Sequence, residues 1–280
     1  MDAVLLALGS AALFGAMTVA LRLALLRNPD ARLGAAVTAL VALAVALAAT
    51  PVTGGTTEPR DLALFAAAGL LAPGISQLLF TLAVRDAGSA RASVVVGAAP
   101  VITVALGIGL LGEPFEPALL VGAALIVAGG TALAGERLRP ATFRAIGMAW
   151  AVGCTVLFAS RDTFVRWFSG ETPVASTDAA AATLLGGAVV LTVAAARRSW
   201  RRPLAFVPVG ICFGLSYVLL FEAFYRGRVT VVSPLVATET LWGVGLSALL
   251  IGHRERVGRH VALGAALVVA GAVVIGARSS

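Results

Sequence analysis

"GAALIVAG" at residues 122–129 returns as "GAALVVAG" at residues 264–271, 142 positions later in a chain of 280. How far this copy extends decides the fold. "PGISQLLFTLAVRDAG" from Pro73 lies over "FGLSYVLLFEAFYRG" from Phe213, pairing Gly74 with Gly214, Ser76 with Ser216 and Gln77 with Tyr217. "LLG" at 110–112 lies over "LIG" at 250–252. Nearer the N-terminus, "GSAALFGAMTVALRLA" from Gly9 lies over "GCTVLFASRDTFVRWF" from Gly153, pairing Phe14 with Phe158 and Arg22 with Arg166. The offset stays between 140 and 144, so the repeating unit is the half-molecule, residues 1–140 and 141–280.

Composition says where such a unit lives. Hydrophobic residues make up 59% and charged residues only 12%, about half the charge of an ordinary soluble domain. The apolar residues fall into blocks of about 18 to 25, the length a helix needs to cross the hydrocarbon of a bilayer. Spans are expected near 3–26, 33–50, 61–84, 92–112, 117–135, 145–168, 176–196, 204–225, 230–252 and 260–277. The connections carry the breakers, as in "RNPDAR", "GEPFEP" and "SGETPVAS", and none is long enough for a soluble domain. The runs are apolar all round rather than alternating, which excludes a β-barrel. The expected class is therefore an all-α membrane protein with ten transmembrane helices. Five spans per half is an odd number, so the second half enters the membrane upside down relative to the first, giving two inverted five-helix repeats. That is the architecture of secondary transporters that open one midplane site to either side in turn.

The same residues resemble a known family. "PVITVALGIGLLGEPF" followed by "LLVGAALIVAGG", and a second copy ending "LLIGHRERVGRHVALGAALVVAGAVV", are similar to the drug/metabolite transporter superfamily, EamA type, over essentially the full length. Two departures stand out: "IGHRE" is two residues longer before Glu255, and Thr240 stands where the first copy has Pro100. The resemblance implies a carrier of small polar metabolites such as amino acids, often an exporter, in the cell membrane. Its cavity would be lined by helices 1, 3, 4, 6, 8 and 9.

Ionisable groups inside a span are costly, so each needs a reason. Glu239, near the middle of the ninth span, is the foremost candidate. A carboxylate there can take up and give back a proton as the cavity opens to each side, or pair with a substrate ammonium; the alternative is an ion pair with Arg161 or Arg166. Arg161 and Asp162 either contact substrate or satisfy each other, and an unengaged Arg161 would grip a carboxylate bidentately. Glu222 lies a turn from the end of the eighth span with Arg226 at i+4. Arg22 and Arg166 read as snorkelling helix-end residues. Gln77 beside Ser76, and Tyr217 beside Ser216, form a repeat-related polar pair suited to a binding site or to helix–helix glue. Trp242, three residues after Glu239, walls the same cavity or packs on a neighbour. Pro73, Pro100, Pro208 and Pro234 mark the third, fourth, eighth and ninth spans as broken at depth.

Other classes find no support in the sequence. Metal-protease and nucleotide-binding motifs do not occur, His253 and His260 fall at one connection, and Cys154 and Cys212 have no metal or redox spacing. No cofactor or metal is expected, and the substrate is a small molecule, with a proton as the candidate coupling ion. The +7 balance comes entirely from arginines, mostly in loops, where anionic lipid headgroups account for them without nucleic acid. Their excess in the odd-numbered connections places both termini outside, whereas the family resemblance implies cytoplasmic termini. A lipid or lipid-linked sugar flippase of the same fold is the alternative, with Arg161 and Arg166 for the phosphate. The assembly is expected to be a monomer or homodimer.

Overall fold

The computed structural model describes residues 2–50, 58–112, 117–134, 143–200, 202–252 and 258–276. Glu113, Arg137, Arg139, Arg201, His253, Arg254, Glu255, Arg256 and Arg278 lie outside the described residues. Ten helical spans make up the described chain: α1 (Ala3–Arg27), α2 (Ala31–Ala49), α3 (Pro59–Ala87), α4 (Ser89–Leu111), α5 (Ala118–Ala134), α6 (Ile146–Glu171), α7 (Ser176–Ala195), α8 (Pro203–Arg226), α9 (Val229–Ile251) and α10 (Arg259–Gly276). No strand occurs among the described residues. Helices satisfy every backbone group internally, which hydrocarbon demands, while the outward side chains stay apolar: Leu249 is 78% exposed and Val193 72%.

The opening octapeptides pack against each other. A Cβ added at Gly129 would lie 2.7 Å from the Gly264 carbonyl oxygen, and one at Gly271 would lie 2.5 Å from that of Gly122. The first glycine of each peptide therefore faces the last glycine of the other, so α5 and α10 run antiparallel. That crossing is the inversion seen in atomic contacts, and small residues are what let the backbones approach so closely. The same two-fold relation recurs elsewhere. The space beside Gly9 is closed by Leu219 and that beside Gly153 by Leu79, each 3.2 Å from the added atom. Gly214 packs on Val45, and its mate Gly74 on Val190.

Two spans are broken at matching positions. α4 is helical over Ser89–Val96, turns at Gly97 and Ala98, and resumes over Ala99–Leu111, with Pro100 in the first turn where no N–H is needed. α9 runs Val229–Val236, turns at Ala237 and Thr238, and resumes at Glu239. The two breaks are tied together: Thr240, standing where the first copy has Pro100, donates its hydroxyl to the Ser93 carbonyl at 3.1 Å. α3 is kinked at Ala72, whose φ of −139° is extended, next to Pro73. Pro208 departs from the sequence expectation. It sits in the first turn of the α-helical part of α8, so it starts that helix rather than breaking it.

Candidate functional site

Phe14 and Phe158, repeat-related residues of α1 and α6, meet edge to face with ring centroids 5.8 Å apart, which puts them on the pseudo-two-fold axis. They wall a small cavity that also receives Ser10, Arg161, Asp162, Ser216, Ser233 and Glu239, together with Ala99, which opens the second half of α4, and the turn residue Ala237 of α9. Its volume is about 30 Å³, room for one or two waters. An organic solute enters only if the helices part.

The charges come from one repeat. Arg161, Asp162 and Glu239 occupy positions where the first copy has Met17, Thr18 and Ala99, so a symmetric scaffold carries an asymmetric site. Arg161 donates to one Asp162 oxygen from Nε at 2.9 Å and from Nη2 at 2.6 Å, with both side chains about 5% exposed. Its guanidinium carbon lies 4.8 Å from the Phe158 ring centroid and 5.0 Å from that of Tyr217. Three neighbours thus hold it in place, and the pair is neutral overall.

Glu239 is the exception. It is 5% exposed and opens the second half of α9 facing the cavity, yet it makes no hydrogen bond or ion pair among the described residues. Arg161 and Asp162 lie within electrostatic reach but are spent on each other. The ion pair with Arg161 or Arg166 considered from sequence is absent. The cavity carries one carboxylate in excess, and the α9 half-helix N-terminus beneath Glu239 partly offsets that charge.

The other nominated residues scatter. Ser216 lines the cavity in a reciprocal clasp with Ser10: Ser10 Oγ donates to the Ser216 carbonyl at 2.9 Å, and Ser216 Oγ to that of Ser10 at 3.0 Å. Tyr217 lies one layer back and is 1% exposed. Gln77 and Ser76 are fully buried in α3 outside the lining, and neither side chain has a hydrogen-bond partner. By the repeat relation Ser76 stands to Cys154 as Ser216 stands to Ser10, and a thiol is a poor substitute for the hydroxyl. Trp242 does not reach the cavity. Being i+3 from Glu239, it is rotated about 60° around the helix, its Cβ is pressed against Gly15 of α1, and the residue is 48% exposed. Glu222 is also remote, because it projects from α8 well around the helix from the cavity residue Leu220 and binds Ser176 and Arg226 near the membrane face.

Arg22 and Arg166 do not snorkel. Arg22, 4% exposed, donates from Nη1 to the Arg85 carbonyl at 2.9 Å and the Val84 carbonyl at 3.3 Å, capping the C-terminus of α3. Arg166 does the same for α8 at the Phe224 carbonyl, 3.3 Å away. Orphan carbonyls at a helix end are a strong attraction for a guanidinium already close by. Ser10, Ser233, Phe14 and Phe158 were not nominated from sequence; a position-by-position scan of the repeat around Phe14 would have found the phenylalanines. The described residues hold no cluster able to bind a metal, and both cysteines are free.

The sequence profile of the EamA-like transporter family matches residues 1–134 and again 145–277, one match per half. The chain belongs to the EamA-like transporter family. It is thus a multi-pass membrane transporter of the drug/metabolite type, and the ten-helix, two-repeat fold is that of the family. No curated protein matches this EamA-like transporter. Twenty-three solved chains do. One of them, a crystal structure described only as that of a protein, aligns with a TM-score of 0.65 and 23% identity over 95% of this chain and 96% of its own. That likeness shows a shared fold, and fold alone does not name a substrate.

Proposed function

We propose that this EamA-like transporter is a secondary carrier of small polar metabolites bearing an ammonium group, amino acids among them, and that Glu239 binds substrate amine and proton in turn. The single observation behind this reading is the Glu239 carboxyl group, unpartnered in a cavity whose other charges, Arg161 and Asp162, neutralise each other. A buried charge without a partner is expensive, and either a proton or an ammonium relieves the cost. Because the two compete for one carboxylate, a proton gradient can drive the amine the other way. Residues 1–140 and 141–280 act as the two rocking units, with the paired breaks in α4 and α9 at the crossing point. The cell membrane is the proposed location.

A flippase would need free arginines for a phosphate. Arg161 is held by Asp162 and Arg166 by the Phe224 carbonyl, which favours the metabolite carrier. The test is counterflow uptake of labelled amino acids and small amines into liposomes holding the purified protein, comparing the parent with Glu239→Gln, with and without a pH gradient. Concentrative uptake by the parent, reduced to exchange or lost in the variant, supports the assignment. Identical gradient-driven accumulation by both proteins removes Glu239 from the coupling role.

A further inference from the structure

A second space lies beside the polar cavity and differs from it in every respect. An apolar groove of about 260 Å³ is lined by Val95, Ala98 and Ile102 of α4, Val127 of α5, and Val152 and Thr155 of α6, with no charged residue. Val127 is 60% exposed and Val152 55%, so the groove opens sideways, where hydrocarbon lies against a spanning helix. It sits well inside the span: Val95 to Ile102 covers the seventh to fourteenth residues of the 23 in α4, roughly 9 to 20 Å from its start.

The groove and the cavity share a wall. Val95 and Ala98 face the groove while their neighbours Val96 and Ala99 face the cavity, and on α6 Thr155 faces the groove while Phe158, one turn on, faces the cavity. A weak hydrogen bond crosses this wall, Thr155 Oγ to the Val95 carbonyl at 3.3 Å, from a hydroxyl already donated to its own helix at Ala151 at 2.8 Å. The repeat-related side is built differently. Trp242 replaces Ile102, Ala11 replaces Thr155, and α1 and α9 are in backbone contact there, with a Cβ at Gly15 only 2.9 Å from the Gly243 nitrogen. One side of the symmetric scaffold is sealed and the other is recessed.

We propose that this groove seats the alkyl or aryl chain of an amphipathic amine, drawn laterally from the bilayer, whose ammonium end rests on Glu239. The proposal rests on the cation reading of Glu239 and adds a second subsite to it. The two subsites join when α4 parts from α6 at the Thr155–Val95 tie. The occupant is then a molecule with one positive end and one apolar chain, matching one excess carboxylate and one uncharged groove.

The experiment titrates the purified full-length protein in micelles with tetramethylammonium and with butyl-, hexyl- and octyltrimethylammonium. It compares the parent with Ala98→Phe, which fills the groove, and Val127→Trp, which narrows its mouth from the lipid side. In the parent the affinity is expected to rise with chain length, by up to about fourfold per buried methylene. In both variants tetramethylammonium binding stays within twofold of the parent and the rise flattens. A parent without chain-length dependence, or a rise that persists in both variants, overturns the groove assignment. Loss of tetramethylammonium binding alongside groove-dependent hexyl binding instead overturns the Glu239 reading and leaves the groove standing. Equal binding of 1-hexanol makes the groove a seat for any bilayer chain and overturns the amine.

Discussion

Replacing Glu239 by Gln removes one charge at nearly constant volume. The cavity then goes from one excess carboxylate to none, because Arg161 and Asp162 continue to neutralise each other. A substrate ammonium about 4 Å from the carboxylate gains about 4 kcal/mol at an effective dielectric of 20, which is about three decades of affinity. The amide returns part of this as a neutral hydrogen bond, about 1 kcal/mol, so the expected loss is about two decades. Stability should move the other way or stay still. No partner is orphaned by the change, and an unpaired buried charge is relieved. The assay is paired: titration of a primary amine such as methylamine, protonated at neutral pH, with the purified protein, and thermal unfolding of the same samples. An affinity within threefold of the parent, together with a fall in stability of more than about 2 kcal/mol, would refute the reasoning and make Glu239 a structural residue.

Four further outcomes follow from particular sites. Gly271→Ala places a methyl 2.5 Å from the Gly122 carbonyl oxygen and 2.8 Å from Ile126, neither of which yields without moving α5, so a loss of about 1–3 kcal/mol is expected in thermal unfolding. Gly109→Ala, where nothing lies within 4 Å, should be neutral or gain up to about 1 kcal/mol. Cys154→Ser gives the partnerless Ser76 hydroxyl a counterpart like the Ser10–Ser216 clasp and should raise stability by about 0.5–1.5 kcal/mol; an unchanged or lowered melting temperature counts against the repeat argument. Asp30, between α1 and α2, caps α2 through the N–H groups of Arg32 and Leu33 and pairs with Arg198 at 2.8 Å. Partial burial pushes its carboxyl up, but the Arg198 guanidinium and the two N–H groups outweigh that and hold it below its ordinary 3.8. A lowered carboxyl contributes stability that is complete above the ordinary value and is lost as pH falls through the lowered one. Asp30→Asn keeps a capping oxygen but not the charge, so its melting temperature should lose less than the parent's between about pH 5 and 2, and Asp30→Ala should cost about 1 kcal/mol more at pH 7.

Much of this protein is written in its one-dimensional pattern. Apolar blocks of membrane length between Pro, Gly and Arg connections leave a chain no choice but spanning helices, because hydrocarbon satisfies no backbone group. Two copies of five spans must be inverted relative to each other; that they meet at the glycines of the repeated octapeptides came from the structure. Glu239 was legible for the same reason: a carboxylate inside an apolar run has no bland local explanation. Only the tertiary structure could decide partners, because partners are chosen by helices far apart in sequence. It gave Arg161 to Asp162, leaving Glu239 alone, and turned Arg22 and Arg166 from lipid-seeking side chains into caps for α3 and α8. It also sent Trp242 outward, since α1 at Gly15 already occupied the face that a spacing of three residues suggested for it. Spacing fixes the angle at which a side chain leaves its own helix. What it meets there depends on which neighbour packs against that face, and that is settled by the fit of small residues on distant helices.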